Sequence, residues 1–260
     1  MVAEPRERPL HMTSRFLDLL RERVLFFDGG MGTQLGAREL KAADFGGARW
    51  EGCFDHLSLT RPDVVEDVHA AYFEAGADVV ETNSFQASRV RLDEWGLGEK
   101  TFELNRAAAQ IARRVADRFE RADGRPRFAA GSMGPSGCLP SSEDPELGRF
   151  GLEELVAAFL PQAQGLVEGG ADLLILETCQ DLLELKAQIL AAREVFAATG
   201  RQLPLQCSVT LDSAGRMLLG TDIGAALATL EGMGVEIIGL NCSTGPDYMR
   251  EPVRYLCAHR

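Results

Sequence analysis

The apolar and polar positions of the chain follow a repeating order in which a helical pattern precedes a short apolar strand. In residues 60–75, apolar side chains recur at the three- and four-residue spacing of an amphipathic helix, and Gly76 ends that pattern. Residues 77–83 form a short strand pattern in which the apolar residues 79–80 pass into the polar residues 81–83. A helix followed by a glycine, an apolar strand and a polar strand end is typical of the unit of a parallel α/β sheet.

Six segments of the chain carry this strand pattern. The first is apolar throughout, which predicts a fully buried strand, and it passes into a glycine-rich loop. Two of the later strands follow helical patterns that end at Gly170 and Gly234. The six predicted strands are residues 24–27, 77–83, 127–132, 171–178, 203–210 and 234–241.

The polar strand ends favour an α/β barrel over the alternative, a doubly wound sheet. A doubly wound nucleotide-binding sheet normally carries one G-x-G-x-x-G turn, and Gly29, Gly30 and Gly32 do not have that spacing. Polar ends of several strands that converge on one site are typical of a (β/α)8 TIM-type barrel. We therefore expect a barrel truncated after about six βα units. Residues 1–15 are predicted to be a mobile leader, and residues 16–260 the barrel domain without its last strands.

Composition narrows the classes of partner. A net charge of −12 argues against a nucleic-acid partner, because no basic stripe offsets the acidic surface. Residues 1–23 contain no continuous apolar segment that would predict a signal peptide or a membrane span. The six cysteines form no C-x-x-C pair, which fits a reducing compartment. We expect a cytoplasmic protein that binds neither nucleic acid nor membranes.

Cys242 is the candidate metal ligand. It follows an apolar strand directly and is itself followed by the turn sequence Ser-Thr-Gly-Pro, so its thiol is predicted to be accessible at the mouth of the barrel. A thiolate at this position suits zinc. The alternative is an ordinary buried cysteine, which is common in protein cores.

Three carboxylates, those of Asp28, Glu81 and Glu177, are predicted to lie at strand ends. Buried carboxylates that lie close together need a cation or hydrogen-bond donors, and an ammonium group would serve. The alternative for the two glutamates is a hydrogen bond from backbone N–H groups or an ion pair with arginine. For Asp28 the alternative is an Asx-turn.

Backbone donors adjoin these carboxylates at two places. One is the loop of Gly29 and Gly30, and the other is the strand end formed by Ser132 and Met133. Free N–H groups at such positions suit a ligand carboxylate, although glycine-rich segments also form simple turns. Together with the carboxylates, these groups predict a site for a zwitterion.

Five segments of the chain occur in the order found in homocysteine S-methyltransferase domains. They are DGGMGTQL at 28–35, AGADVVETNSF at 75–85, GSMGP at 131–135, ETCQD at 177–181 and GLNC at 239–242. The chain resembles this family from residue 24 to its last residue. Through LGTDI at 219–223 and CSTGPD at 242–247 it most resembles the amino-terminal, homocysteine-binding domains of cobalamin-dependent methionine synthases.

The resemblance implies a set of site residues. Asp28 and Glu177 would bind the amino group of homocysteine, and backbone N–H groups near four residues would bind its carboxylate. Two further residues would line the pocket. The carboxylate-binding residues are Gly29, Gly30, Ser132 and Met133, and the lining residues are Thr82 and Asn83.

The resemblance also implies a barrel with Zn²⁺ held by three cysteines, the first at the position of Cys242. The other two would be an adjacent pair, and no Cys-Cys occurs in this sequence. The implied reaction is methyl transfer to the homocysteine thiolate from methylcobalamin, which 5-methyltetrahydrofolate regenerates, with cobalamin and folate bound by other modules. We expect the chain alone to be inactive. Betaine or S-methylmethionine as methyl donor, or a non-catalytic amino-acid-binding remnant, remain alternatives.

Overall fold

The structure, a computed structural model, describes residues 14–260. Short 3₁₀ turns at Ala48–Trp50, Phe54–His56 and Gly98–Lys100 interrupt the loops. The α-helices are α1 (Arg15–Glu22), α2 (Met31–Gly36), α3 (Leu57–Thr60), α4 (Pro62–Glu74), α5 (Arg89–Asp93), α6 (Thr101–Asp123), α7 (Leu152–Gly169), α8 (Leu182–Thr199), α9 (Ile223–Gly232) and α10 (Pro246–His259). The strands are β1 (Val79–Glu81), β2 (Phe128–Met133), β3 (Leu173–Cys179), β4 (Leu205–Val209) and β5 (Ile237–Leu240).

The five strands form one parallel sheet in chain order. Each strand pairs with the next along the sequence, as in the Cα pairs Val80 with Ala129 and Cys207 with Ile238. A doubly wound sheet would instead reverse its strand order at a switch point. The sequential order therefore confirms the predicted barrel-type architecture, with helices outside a parallel sheet.

The first predicted strand, residues 24–27, forms the next strand position beyond β1 through a single bridge. Phe27 pairs in parallel with Val79, and the carbonyl of Phe26 accepts hydrogen bonds from the N–H groups of Asp78 and Val79. The prediction that this strand is fully buried is wrong, since Val24 is 72% and Phe26 65% exposed. No helix within residues 14–260 covers that face of the segment, so its side chains alternate between core and solvent.

The main core lies between the sheet and the outer helices α7 and α8. Phe159 and Leu166 from α7 pack with Leu174 and Leu176 from β3, and all four side chains are fully buried. Helices α6 and α7 approach each other closely at Gly165, where an added Cβ atom would lie 2.5 Å from the carbonyl oxygen of Phe102. A glycine is required at that contact because the backbones leave no room for a side chain.

Helix α1 covers the amino-terminal end of the strands. Its residue Phe16 is almost fully buried and makes an edge-on contact with Phe128, with ring centroids 5.3 Å apart. The cluster continues through the inward-facing residues Val79 and Leu173. This end of the sheet is therefore closed by apolar packing, and the opposite end carries the polar strand tips.

Of the predicted leader, residues 1–15, only the last two residues belong to the described part of the chain. Residues 1–13 lie outside the described residues, and α1 already begins at Arg15. Within the part of the chain that the structure describes, no helix is both long and apolar enough to cross a membrane.

Candidate functional site

A cavity of about 610 Å³ lies at the carboxyl ends of the strands. Four carboxyl groups line it, and no Lys, Arg or His side chain among residues 14–260 does so. The four are Asp28, Asp55, Glu81 and Glu177. A cavity with acidic walls and no internal cation favours a positively charged ligand group.

Asp28 follows the bridging residue Phe27, which directs its side chain toward the end of β1. Its Oδ2 accepts a hydrogen bond of 3.1 Å from the N–H of Glu81, whereas its Oδ1 is buried and has no partner among the described residues. Burial raises the pKa of Asp28 to about 8, and the charge of Glu177 acts in the same direction. The carboxyl therefore holds a proton at neutral pH until a cation replaces it.

Glu177, at the end of β3, is oriented by two side-chain donors. Its Oε1 accepts a hydrogen bond of 2.6 Å from the Ser132 hydroxyl, and its Oε2 accepts one of 3.0 Å from the Asn241 amide. Burial raises the pKa of Glu177, while the bond from Ser132 opposes that rise. These donors are neutral, so the arginine partner considered as an alternative is absent from its hydrogen bonds within residues 14–260.

Glu81 lies beside Glu177 in the cavity, close enough for their carboxyl groups to share a hydrogen bond. Burial raises the pKa of Glu81 well above its usual range, and the charges of Glu177 and Asp28 raise it further. Two carboxyls this close disfavour each other's ionisation. The three acidic groups therefore form a cluster. An ammonium group bound there would stabilise the ionised carboxylates and would displace the protons that they otherwise hold.

The ends of β3 and β5 meet beside this cluster. Thr178, Cys242 and Ser243 all have positive φ angles, of 59°, 59° and 60°, which is uncommon for residues other than glycine. The Cys242 thiol is exposed and lies 3.5 Å from the Thr178 hydroxyl oxygen. The expected accessibility of this thiol at the cavity is confirmed, since Cys242 lines the same cavity as Asp28 and Glu177.

All but one of the other predicted substrate-binding residues line the cavity. They are Gly29, Gly30, Thr82, Asn83 and Ser132. The N–H of Ser132, however, donates to the Thr82 hydroxyl over 2.9 Å, so that N–H is already satisfied.

Met133 differs from the rest of the predicted set. Its side chain is fully buried in the main core, and Met133 does not line the cavity. The alternation of a strand explains the difference, because neighbouring residues of β2 point to opposite faces of the sheet. Its backbone role in binding a carboxylate stays a prediction.

Sequence reasoning missed the side of the cavity formed by the long loops. Phe54, Phe85 and Trp95 provide aromatic surface there. Asp55 accepts a hydrogen bond of 3.1 Å from the N–H of Gln86, and burial raises its pKa to about 6. None of these residues lies in a regular strand, so the strand-end pattern could not have identified them.

The residues around Cys242 supply only part of a zinc site. A catalytic zinc site uses three protein ligands, drawn from Cys, His and carboxylate side chains. Within residues 14–260, no group of three such side chains is arranged to hold a metal ion. The neighbours of the thiol are a hydroxyl and an amide, so the described residues supply one zinc ligand and do not form the complete site.

The fold and cavity together define a class of protein: a parallel α/β barrel with an acidic cavity and an exposed thiol at the carboxyl ends of its strands. The model of the homocysteine S-methyltransferase family matches residues 25–260. The chain belongs to that family.

Similar proteins agree with this assignment. The chain is 46% identical over 243 residues to the methionine synthase of Mycobacterium tuberculosis (strain ATCC 25618 / H37Rv), and equally similar to that of Mycobacterium leprae (strain TN). Each match covers 94% of this chain, which spans about a fifth of the length of these relatives. The crystal structure of the homocysteine methyltransferase MmuM from Escherichia coli in its metallated form is also similar, with a TM-score of 0.75 and 26% identity over 94% of this chain and 83% of that chain.

Proposed function

We propose that the chain is the homocysteine-binding module of a methionine synthase. In the whole protein, homocysteine would accept a methyl group from methylcobalamin, which 5-methyltetrahydrofolate would regenerate, and methionine would be the product. The 46% identity to two methionine synthases supports this assignment within the family. Cobalamin and folate would be bound by other modules, which fits relatives about five times as long as this chain, and the reaction would take place in the cytoplasm.

One observation carries the proposal: the buried, unpartnered Oδ1 of Asp28 lies in a cavity lined by three further carboxyls and no basic side chain within residues 14–260. Such an atom needs a hydrogen-bond donor, and an ammonium group supplies both the donor and the compensating charge. The amino group of homocysteine would bind between Asp28 and Glu177.

The remaining groups of the cavity have complementary roles. Backbone N–H groups near Gly29 and Gly30 would hold the carboxylate of the amino acid, and Thr82 and Asn83 would line the pocket beside it. The thiol of homocysteine would then extend toward the end of β5, where Cys242 lies. The zinc that the family resemblance implies would need ligands beyond Cys242, so we assign it only to the whole protein and expect this chain alone to be inactive.

A second candidate is a binding module without catalysis. Within residues 14–260, Cys242 has no second Cys, His or carboxylate group arranged with it as a metal site, and this arrangement fits the second candidate. It shares the amino-acid site with the first candidate and differs only in having no methyl transfer. A barrel that uses betaine or S-methylmethionine as donor would also share the site, and donor assays on the whole protein separate these activities.

Calorimetric titration of the chain tests the proposal. L-Homocysteine is compared with 4-sulfanylbutanoate, which has the same carboxylate and thiol but no amino group. We expect homocysteine to bind at least about tenfold more tightly, the difference typical of a charge-assisted hydrogen bond. Equal affinities, or no binding of homocysteine, would contradict the proposal.

A further inference from the structure

The side chain of Asn241 connects the acidic cluster to the exposed thiol. Its amide nitrogen donates to Oε2 of Glu177 over 3.0 Å and to the hydroxyl of Thr178 over 2.9 Å, and it lies 3.5 Å from the sulfur of Cys242. Its amide oxygen accepts a hydrogen bond of 2.9 Å from the N–H of Thr178. One amide therefore contacts both a carboxylate of the proposed amine site and the sulfur.

This connection spans two strands that are not neighbours. Glu177 belongs to β3 and Asn241 follows β5, while β4 lies between these strands in the sheet. The backbone of Asn241 is itself anchored to β4, because its N–H donates to Val209 and its carbonyl accepts a hydrogen bond of 3.0 Å from Thr210. These backbone hydrogen bonds fix the position of Asn241, and its side-chain amide extends past the end of β4 to reach Glu177.

The Asn241 side chain contacts residues with an unusual backbone conformation at both strand ends. Thr178 and Cys242 hold left-handed φ angles that cost free energy for residues with a Cβ atom, so surrounding contacts must maintain them. Both hydrogen-bonding groups of the Asn241 side chain are used on Thr178, and the same nitrogen reaches Cys242. An amide suits this position, because it offers a donor and an acceptor on one planar group.

We propose that Asn241 is a positioning residue that holds the Glu177 carboxylate at a set distance and orientation from the Cys242 thiol. The proposal rests on the proposed function in one respect: the bound amino thiol would span these two groups, with its amine at Glu177 and its sulfur near Cys242. The positioning itself is a property of the free chain and can be tested without homocysteine.

The test compares two thiol reagents of different charge on the full chain, with a chelator present. Methyl methanethiosulfonate is neutral and its 2-(trimethylammonio)ethyl analogue is cationic; both form a mixed disulfide with the cysteine sulfur and release methanesulfinate. The measured quantity is the ratio of the cationic to the neutral rate. Cys257 on α10, which is also exposed, is the internal reference, and the Cys242→Ser and Cys257→Ser variants isolate the two thiols.

A carboxylate held beside the sulfur raises the local concentration of the cationic reagent. At about pH 8 we expect the rate ratio at Cys242 to exceed that at Cys257 by at least about fivefold, the effect of one charge a few ångströms away in water. Glu177→Gln and Asn241→Ala should each lower the ratio at Cys242 by a similar factor, and the other carboxyls of the cavity, those of Asp28, Asp55 and Glu81, should keep it above the ratio at Cys257. The double variant should lower it no further, because both changes remove the same interaction.

A merely structural role for Asn241 predicts a different result. Looser packing would change the rates of both reagents alike, so the ratio would stay at its wild-type value in Asn241→Ala. That result, an unchanged ratio in Glu177→Gln, or additive effects in the double variant would each overturn the proposal. If Asn241→Ala does not fold, Asn241→Ser and Glu177→Gln supply the same comparison. Failure of homocysteine to bind would contradict the proposed function alone.

Discussion

The backbone N–H of Glu81 donates a hydrogen bond of 3.1 Å to Oδ2 of Asp28. The bond joins the residue after the first, bridging strand segment to the end of β1 and leaves the second oxygen of Asp28 buried without a partner. This bond orients the carboxyl of Asp28 toward the end of β1. The site therefore keeps one buried carboxyl oxygen that can accept from an ammonium group once the carboxyl proton is displaced, and the described residues supply no such donor.

Replacement of Asp28 by asparagine should weaken homocysteine binding. The variant keeps the size of the side chain and removes the charge, so the ligand ammonium loses a charge-assisted hydrogen bond of about 1.5–3 kcal/mol. We expect the dissociation constant from calorimetry to rise at least about tenfold. Asp18→Asn on the exposed face of α1 is the control and should bind like the wild type. Wild-type affinity in Asp28→Asn would exclude Asp28 as an amine ligand.

Homocysteine affinity should rise with pH. In the free protein Asp28 holds a proton up to about pH 8, and a protonated carboxyl attracts an ammonium group less than a carboxylate does. Ligand binding must therefore displace this proton, which becomes easier as the pH rises. Glu81, Glu177 and Asp55 face the same cavity, and their raised pKa values act in the same direction.

The measurement for this pH dependence is calorimetry between about pH 6 and pH 8. One displaced proton corresponds to an increase in affinity of up to about tenfold per pH unit. The slope should be shallower in Asp28→Asn, which has lost one of the titrating groups. A wild-type affinity that is flat or falls over this range would contradict the assignment of protonated carboxyls to the free cavity.

The proton on Asp28 also affects the stability of the folded chain. Homocysteine affinity should rise with pH, whereas the contribution of this proton to folding stability should fall. Because its pKa is about 8 in the folded chain and 3.8 in the ordinary carboxyl, the folded state binds the proton more tightly. This contribution to stability is fully present below pH 3.8 and is lost as the pH rises through about 8. The Asp28→Asn variant has no ionisable group at this position, so it should not lose this stability as the pH rises.

Urea unfolding should therefore show Asp28→Asn to be more stable than the wild type at pH 8, by on the order of 1–4 kcal/mol. The difference should shrink toward acidic pH, since both side chains are then uncharged. Glu81 and Glu177 titrate in both proteins and largely cancel in the comparison. A variant that is less stable than the wild type at pH 8 would show that the Asp28 charge is already compensated in the free chain.

Ser132→Ala tests the orientation of Glu177. The buried Ser132 hydroxyl donates to Oε1 of Glu177 over 2.6 Å, and its loss would raise the pKa of that carboxyl and free it to rotate. We expect homocysteine affinity to fall by about three- to tenfold, a typical value for one hydrogen bond to a carboxylate. Ser208→Ala, at a buried serine of β4 that does not line the cavity, should leave the affinity unchanged.

Gly165→Ala tests the close contact between α6 and α7. Alanine is the better helix former, but its Cβ atom would lie 2.5 Å from the carbonyl oxygen of Phe102, so the helices must separate. We expect the free energy of unfolding to fall by about 1–3 kcal/mol in urea titrations. Gly232→Ala on α9 is the matched control, since nothing lies within 4 Å of its added Cβ. Equal effects of the two substitutions would show that the α6–α7 contact yields without cost.

The strand ends were the part of the site that the sequence could predict. A parallel sheet brings the carboxyl ends of its strands together, so polar residues such as Asp28, Glu177 and Cys242 could be assigned to one cavity from their positions alone. The order of the strands followed from the same repeating units. The exposure of Val24 and Phe26 could not be predicted, because an apolar run does not reveal whether a helix covers its outer face.

Contacts between side chains of different strands and loops could not be predicted from the sequence. Asn241 entered the sequence analysis only as a residue of the GLNC segment, because its bonds to Glu177 and Thr178 depend on the backbone at the ends of β3 and β5. Asp55 and Trp95 reach the cavity from irregular loops, whose course no periodicity predicts. Met133 was assigned to the site beside Ser132, although adjacent strand residues face opposite ways.

The central claim is that the acidic cavity recognises the amino group of homocysteine, and a crystal structure of the chain with bound L-homocysteine tests it most directly. The account predicts the ammonium nitrogen within hydrogen-bonding distance of both Asp28 and Glu177, with the thiol directed toward Cys242. Homocysteine bound elsewhere, or bound in this cavity with its amino group away from these two carboxyls, would contradict it.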